Sequence, residues 1–196
     1  SWEDSIGSGV FTPPVAGPET TTLNGLRAIR FDETNDEHFL STLHTAPTDW
    51  EIFVVAKIES SQNLAAISAS TDSAGSNQKG HKLEWEESIQ SIRFSIQSNV
   101  SVAISSSLVF PLMTQVYSIH CDNTNRSQAF YINLTNQASF QNDAEGGFID
   151  NLYISNTRGF SNRHVTMICG QVVIARILSP YERRQIQRFL IEKWLP

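Results

Sequence analysis

Two glutamates separated by a single residue are the most evident candidates for chemistry in this sequence. Glu84 and Glu86 flank Trp85 inside a short apolar run that favours a β-strand. Alternate side chains of a strand point to the same face, so the two carboxylates are expected to share one face. Carboxylate pairs of this kind serve as nucleophile and general acid in glycoside hydrolysis. Glu84 and Glu86 are therefore candidate ligand-binding residues.

The residues around this pair argue against catalysis. The glycanase pattern E-x-D-x-x-E or E-x-D-x-E has a central aspartate that is absent here, and Ser88 or Ile89 stands where its last glutamate would be. We expect no catalytic residues and no enzyme activity, and a polar solvent face is the competing interpretation of the two glutamates. Trp85 could stack on a sugar ring, or it could belong to the core.

Oxygen-rich loops raise the question of a bound cation. Asp122 and Asn123 lie in one such loop, and Asp143 and Asp150 lie in another. Carboxylate and amide oxygens are ligands for Ca²⁺, but neither loop has the spacing of an EF-hand. Aspartate and asparagine also stabilise turns through local hydrogen bonds. We predict no cofactor, with Ca²⁺ as the alternative that the sequence leaves open. The histidines show no zinc-binding spacing.

The composition is that of a globular domain. The chain has 196 residues, of which 40% are hydrophobic and 17% charged, which fits one domain. A formal net charge of -6 without a basic stripe argues against a nucleic-acid partner. No apolar run is long enough to span a membrane, and the N-terminus lacks the pattern of a signal peptide. We therefore expect no membrane insertion.

Short apolar runs separated by Ser- and Asn-rich turns indicate a β-sandwich or barrel. The runs within residues 52–56 and 172–175 are apolar at every position, which predicts central strands covered on both faces. Cys121 and Cys169 fall in two predicted strands, as either a disulfide or two separate core thiols. The predicted strands cover residues 26–31, 50–58, 64–68, 81–85, 92–97, 100–104, 116–121, 129–134, 152–155 and 165–178.

One helix is predicted near the end of the chain, over residues 180–195. Ser179 and Glu182 form an S-x-x-E capping box, with Pro180 at the first helical position. An apolar stripe at helical spacing is expected to dock this helix on the sandwich. Its residues are Ile186, Phe189, Leu190 and Trp194.

The same C-terminal stretch carries a family resemblance. The sequence ILSPYERRQIQRFLIEKW resembles the LSxxERxxIxxYLxxKW ending of laminin G-like jelly-roll domains in phage and bacterial proteins. Upstream, NGLRAIRFDETND resembles the NGxxAxxFDGTNDxL motif of that family, although Glu33, Glu37 and His38 depart from it. The resemblance implies an all-β, concanavalin A-like jelly-roll sandwich over residues 23–196, closed by the helix.

Two functions are compatible with this resemblance. The first is a structural component of a phage virion, in the capsid or tail, whose partners are other virion proteins or its own subunits. The alternative is a carbohydrate-binding module that recognises cell-surface glycans from an extracellular or cell-surface location. Residues 1–22, rich in Gly, Pro and Thr, predict an extended arm that packs through Trp2 and Phe11 on a neighbour or on its own sandwich. The arm favours the virion role, and Trp85 favours glycan binding.

Overall fold

Fifteen β-strands and one helix are present in the part of the chain that the computed structural model describes. That part comprises residues 2–3, 10–11, 18–31, 39–42, 49–61, 64–71, 81–86, 91–96, 101–105, 113–141, 151–154 and 165–195. The elements are β1 (Trp2–Glu3), β2 (Val10–Phe11), β3 (Glu19–Leu23), β4 (Leu26–Phe31), β5 (Phe39–Thr42), β6 (Trp50–Ser61), β7 (Leu64–Thr71), β8 (His81–Glu86), β9 (Ser91–Ile96), β10 (Ser101–Ser105), β11 (Gln115–Asp122), β12 (Ser127–Ile132), β13 (Thr135–Gln141), β14 (Asn151–Ile154), β15 (Val165–Arg176) and α1 (Pro180–Trp194).

Two antiparallel sheets form a sandwich. The seven-stranded sheet has the order β13-β12-β11-β6-β15-β4-β3, and the six-stranded sheet has the order β10-β9-β8-β7-β14-β5. The short strands β1 and β2 pair with each other. The predicted all-β jelly-roll sandwich with one C-terminal helix is confirmed. Strand β3 pairs with β4, so residues 19–22 belong to the sandwich and not to a separate arm.

Strand β6 is buried on both of its faces, as its sequence predicted. Ile52 and Val54 point into the core between the sheets, where apolar side chains of both sheets meet. Phe53 and Val55 point to the outer face of the seven-stranded sheet and belong to a second apolar cluster that includes the helix. Burial of such side chains contributes about 1.5–3 kcal/mol each, so both clusters stabilise the fold.

Helix α1 begins where the sequence predicted. The Ser179 hydroxyl accepts a hydrogen bond from the backbone nitrogen of Glu182, and the Glu182 carboxylate accepts one from the backbone nitrogen of Ser179 at 2.8 Å. These backbone bonds, with Arg176 at 2.7 Å, lower the pKa of Glu182 to about 2. The capping box is confirmed.

The face of α1 that packs on the sheet differs from the predicted stripe. Leu190 and Trp194 are buried as predicted, but Phe189 is 57% exposed. The predicted docking role of Phe189 is wrong because its position on the helix points to solvent. Arg183 and Gln187 are buried in its place.

Glycine at position 170 lets the helix approach the sheet. A Cβ atom at Gly170 would lie 2.6–2.9 Å from three ring atoms of Trp194. Gly170 sits at a register irregularity of β15, between Cys169 and Gln171. The Trp194 indole nitrogen donates to Gln171 Oε1 at 3.1 Å.

We expect Gly170→Ala to destabilise the protein by about 1–3 kcal/mol, the usual cost of overpacking. The added methyl group would displace the Trp194 ring from its position against residue 170. Urea unfolding monitored by tryptophan fluorescence would measure the loss. Gly25→Ala is unsuitable as a control because Gly25 has a positive φ of 79°. Ala138→Gly in strand β13 is the better control, because it measures the effect of exchanging alanine and glycine on the backbone of a strand. An unchanged midpoint for Gly170→Ala would show that Trp194 is not held tightly.

The two cysteines are separate core thiols. Cys121 lies opposite Trp50 and Cys169 lies opposite Ala56 on the same strand β6. Six strand positions correspond to about 20 Å, far beyond the reach of a disulfide. Both thiols are free, and burial raises the pKa of each to about 12.

Candidate functional site

A row of polar side chains lies on the outer face of the six-stranded sheet. Strands β8 and β9 alternate strictly, with Leu83, Trp85, Ile92 and Phe94 in the core between the sheets. The residues between them therefore point to the opposite face. We call this group the polar face, and it consists of Lys82, Glu84, Ser91, Arg93 and Ser95.

The register of β8 and β9 places these side chains next to one another. Glu84 lies directly opposite Arg93, and Lys82 lies directly opposite Ser95. Directly opposed Cβ atoms are about 5 Å apart. The polar face thus presents a carboxylate, a guanidinium, an ammonium group and hydroxyls within a short distance. These groups can both donate and accept hydrogen bonds.

Three members of the polar face are almost completely buried. The exposed fraction is 3% for Glu84, 2% for Ser91 and 7% for Ser95. Among the described residues, the Ser91 hydroxyl makes no hydrogen bond. A buried hydroxyl without a partner costs about 1–3 kcal/mol, so this position has hydrogen-bonding capacity that a ligand hydroxyl could use.

The structure separates the three ligand-binding candidates of the sequence. Glu84 is on the polar face, and Glu86, which lies opposite Ser91, shares that face by its position in β8. Trp85 points the other way, into the core, and only 2% of it is exposed. It belongs to the apolar cluster between the sheets, as the core interpretation expects, and its role as a ligand contact stays a prediction.

The candidate calcium ligands of the β11–β12 turn are engaged in local hydrogen bonds. Asp122 accepts from the backbone and side-chain nitrogens of Asn125 at 2.8 and 2.9 Å, and Asn123 Oδ1 accepts from the Cys121 thiol at 3.4 Å. Asp49 accepts from Thr124 in the same turn. Within the described residues, no three His, Cys, Asp or Glu side chains gather as a metal site would require.

Other candidates fall outside the described part of the chain. Asp143 and Asp150 lie outside the described residues. Trp2 and Phe11 are opposite each other in the β1–β2 pair, but their side chains are not described. The absence of a cofactor, with Ca²⁺ as the open alternative, and contact of the arm with a neighbour or with its own sandwich both stay predictions.

A second polar group lies beneath the helix, on the outer face of the seven-stranded sheet. Glu51 is fully buried and accepts two hydrogen bonds from Arg183, at 2.9 Å from Nε and 2.7 Å from Nη2. The backbone nitrogen of Leu178 donates to the same carboxylate at 3.2 Å. His120 Nδ1 lies 2.8 Å from Glu51 Oε1 and 2.7 Å from Arg183 Nη2. We call these residues the Glu51 network.

The Glu51 network holds the helix on the sheet. Burial disfavours the charged form of Glu51, but its hydrogen bonds with His120 and Arg183 outweigh this effect, and its pKa is lowered. Burial likewise disfavours the Arg183 cation. The hydrogen bond and charge of Glu51 outweigh this effect, so the pKa of Arg183 is raised. Gln187 extends the contact by donating to Ser118 at 2.9 Å. Glu51 is fully buried and hydrogen-bonded to Arg183, His120 and the Leu178 backbone, so this network joins the helix to the sheet.

Sequence reasoning missed Ser91, Arg93 and Ser95 of the polar face. Their signal was present, because these polar residues alternate with Ile92, Phe94 and Ile96. Such alternation indicates a strand with one polar face. The partners of Glu51 gave no comparable signal, since Arg183 is about 130 positions from it in the sequence.

The fold is similar to that of several solved structures, which include a CBM40 domain. The sandwich superposes on the CBM40 domain of the Ruminococcus gnavus IT-sialidase bound to α2,3-sialyllactose, with a TM-score of 0.59 and 12% identity over 71% of this chain and 82% of that one. It also superposes on a leech intramolecular trans-sialidase, with a TM-score of 0.57, 14% identity and coverage of 71% of this chain. This chain spans only 23% of the leech enzyme.

A more extensive match is the binding domain of botulinum neurotoxin serotype D. The TM-score is 0.71 and the identity 14%, with 95% of this chain covered. The chain spans about half of that domain, 48%. At these identities the likeness shows the fold alone. No protein-family profile and no curated protein sequence matches the chain. Among the described residues, α1 does not have the length and hydropathy of a membrane-spanning helix.

Proposed function

We propose that this chain is a carbohydrate-binding module whose glycan site is the polar face of the six-stranded sheet. The observation that carries the proposal is the buried Ser91 hydroxyl, which makes no hydrogen bond within the described residues and lies beside the Glu84 and Arg93 pair. Glycan hydroxyls both donate and accept hydrogen bonds. A site of this composition matches them with a carboxylate, a guanidinium and hydroxyls.

The cationic members of the polar face favour a glycan with a negative charge. Arg93 can form a bidentate contact with a carboxylate, and Lys82 lies two residues before Glu84 on the same strand, β8. Glu84 would accept from hydroxyls of the same sugar. A sialylated glycan has both kinds of group, and CBM40 neighbours of the same fold bind sialyllactose.

This proposal replaces the virion role as the leading hypothesis. No structural neighbour named above supports a virion role, whereas a CBM40 domain is among these neighbours. An extracellular or cell-surface location follows from the proposed ligand. The laminin G-like affiliation and the absence of enzyme activity also remain predictions, since likeness of fold does not decide chemistry.

Binding of 3′-sialyllactose, measured by titration calorimetry or ligand-observed NMR, tests the site. We expect Arg93→Gln to weaken binding by at least about tenfold, because a hydrogen bond to a charged group contributes roughly 1.5–3 kcal/mol. Ser91→Ala should also weaken binding, and yet it should raise the unfolding midpoint, because it removes a buried hydroxyl that has no partner. This opposition between affinity and stability would identify Ser91 as a ligand contact.

Arg188→Gln is the matched control for these variants. Arg188 is exposed on α1, on the other side of the sandwich, so its replacement removes the same charge without touching the polar face. A titration with lactose, the neutral disaccharide part of sialyllactose, distinguishes recognition of the acidic sugar from recognition of the neutral sugars. Equal affinities for wild type, Arg93→Gln and Ser91→Ala would refute the site. Failure to bind any member of a panel of acidic and neutral glycans would refute the function.

A further inference from the structure

The turn between β3 and β4 consists of two residues, Asn24 and Gly25. Both have positive φ angles, 50° and 79°, which is the conformation of a two-residue type I′ hairpin. Both residues are exposed. Glycine adopts this conformation without strain, and asparagine tolerates it better than most residues.

The Asn24 side chain is attached to the far end of the chain. Its Nδ2 donates a hydrogen bond to the backbone carbonyl of Trp194, and it lies 3.4 Å from Thr114 Oγ1. Trp194 is the last residue of α1. Carbonyls in the last turn of a helix have no intrahelical donor, so the Asn24 amide caps the helix and fixes its end to the β3–β4 turn.

We propose that Asn24 is a deamidation site whose rate is controlled by the docking of the helix end. In this reaction the backbone nitrogen of Gly25 attacks Cγ of Asn24, the Cγ–Nδ2 bond breaks, and the side-chain nitrogen leaves as ammonia. The resulting succinimide is opened by water to give aspartate or isoaspartate. Hydroxide removes the amide proton of Gly25, the leaving nitrogen takes a proton from water, and one water is consumed when the succinimide opens. Glycine favours the attack because it has no Cβ to obstruct the approach of its nitrogen.

The docked helix opposes this reaction in two ways. The attack requires the Asn24 side chain to rotate toward the Gly25 nitrogen, and the hydrogen bond to Trp194 holds it elsewhere. The turn is also fixed by pairing of Leu23 with Leu26 on either side of it. Release of the helix end removes the first restraint without unfolding the sandwich. The reaction should therefore report local opening of the helix end.

The product would prevent the helix end from docking again. Aspartate at position 24 offers a carboxylate to the Trp194 carbonyl, where a donor is needed, and it places a negative charge at the negative end of the helix macrodipole. Isoaspartate would lengthen the backbone of a two-residue turn. Deamidation would thus loosen the helix irreversibly, as an age-dependent modification.

Peptide mass spectrometry during incubation at mildly alkaline pH tests the proposal. We expect Asn24 to deamidate fastest in the urea-unfolded chain and at least about tenfold more slowly in the native chain, because reaction needs a local opening. Trp194→Phe, which loses the hydrogen bond to Gln171, should react at an intermediate rate. Gln171→Ala removes the same bond and serves if Trp194→Phe does not fold. Asn136, exposed but followed by Gln137, is an internal control that should stay unmodified.

Three results would overturn the proposal. Equal rates in the native and unfolded chains would show that the fold gives no protection. Equal rates in native wild type and in both loosened variants would show that the turn protects Asn24 without the helix. An Asn24→Asp variant should melt about 2–4 °C below wild type, because the helix end loses a hydrogen-bond donor and gains a nearby negative charge. An unchanged midpoint would contradict the proposed consequence.

Discussion

Replacing Glu51 by glutamine should lower the free energy of unfolding by about 3–5 kcal/mol, the usual cost of leaving one partner of a buried ion pair alone. The Arg183 cation would stay beneath the helix without its carboxylate, and the Leu178 amide would lose a charged acceptor. Urea unfolding followed by circular dichroism would measure the loss. The partly exposed pair Arg30–Glu59 offers a control, because Glu59→Gln should cost less than about 1 kcal/mol.

A double variant separates the loss of the Glu51–Arg183 attraction from the cost of leaving one buried charge without a partner. Glu51→Met with Arg183→Met removes both charges and fills similar volume, so it should recover most of the stability that Glu51→Gln loses. If Glu51→Gln cost no more than Glu59→Gln, the Glu51 network would not hold the helix.

The same carboxylate predicts a dependence of stability on pH. The pKa of Glu51 is lower in the folded protein than its ordinary value of 4.5. Its stabilising contribution is therefore complete above about pH 4.5, and it is lost as the pH falls through the folded-state pKa. Glu51→Gln should flatten the acid limb of a plot of unfolding free energy against pH. An equally steep limb in the variant would assign the dependence to other carboxylates.

Trp194→Ala should destabilise the protein by about 3–5 kcal/mol, whereas Phe189→Ala should cost less than about 1 kcal/mol. The two aromatic side chains belong to one helix and differ in burial, with 3% of Trp194 exposed and 57% of Phe189. Trp194 packs against Gly170, and Phe189 contacts only the Lys193 ammonium among the described ring contacts. Comparison of the unfolding midpoints of these two variants is therefore a direct test of which face is docked.

Fluorescence gives a further check on the same pair of variants. Removal of a buried indole changes the emission of the native state, and removal of Phe189 leaves the tryptophans in place. A loss of stability for Phe189→Ala equal to that for Trp194→Ala would mean that the helix is rotated relative to the structure described above. Both variants keep the capping box, so neither changes the start of the helix.

The strands that were predicted from the sequence and the strands that were missed differ in position, because several of the missed strands lie at the edges of the sheets. Central strands such as β6 carry apolar residues for two buried faces, and their runs were visible. The strands that were missed include β3 and β13, the two edges of the seven-stranded sheet, and β5, an edge of the six-stranded sheet. Edge strands bury less surface, so the sequence of β3, ETTTL, contains little apolar signal.

The site was predictable to a similar degree. The shared face of Glu84 and Glu86 is a prediction from strand periodicity, and both residues lie in β8. Their neighbour Arg93 depends on the pairing of β8 with β9, which periodicity does not specify. The helix shows the opposite difficulty, because its buried face contains Arg183 and Gln187 where an apolar stripe was expected. Their burial depends on partners in β6 and β11 that are distant in sequence.

The position of β15 has a consequence for how the chain reaches its native state. This strand lies between β4 and β6, yet more than a hundred residues separate it from either in the sequence. The middle of the seven-stranded sheet therefore cannot close until residues 165–176 arrive, and β4 has no neighbour on that side before then. Contacts between such distant segments make folding slow, in the millisecond-to-second range for sandwiches of this type. During synthesis on the ribosome, the earlier strands would therefore expose apolar faces and unpaired backbone edges. A chaperone would matter most at this stage.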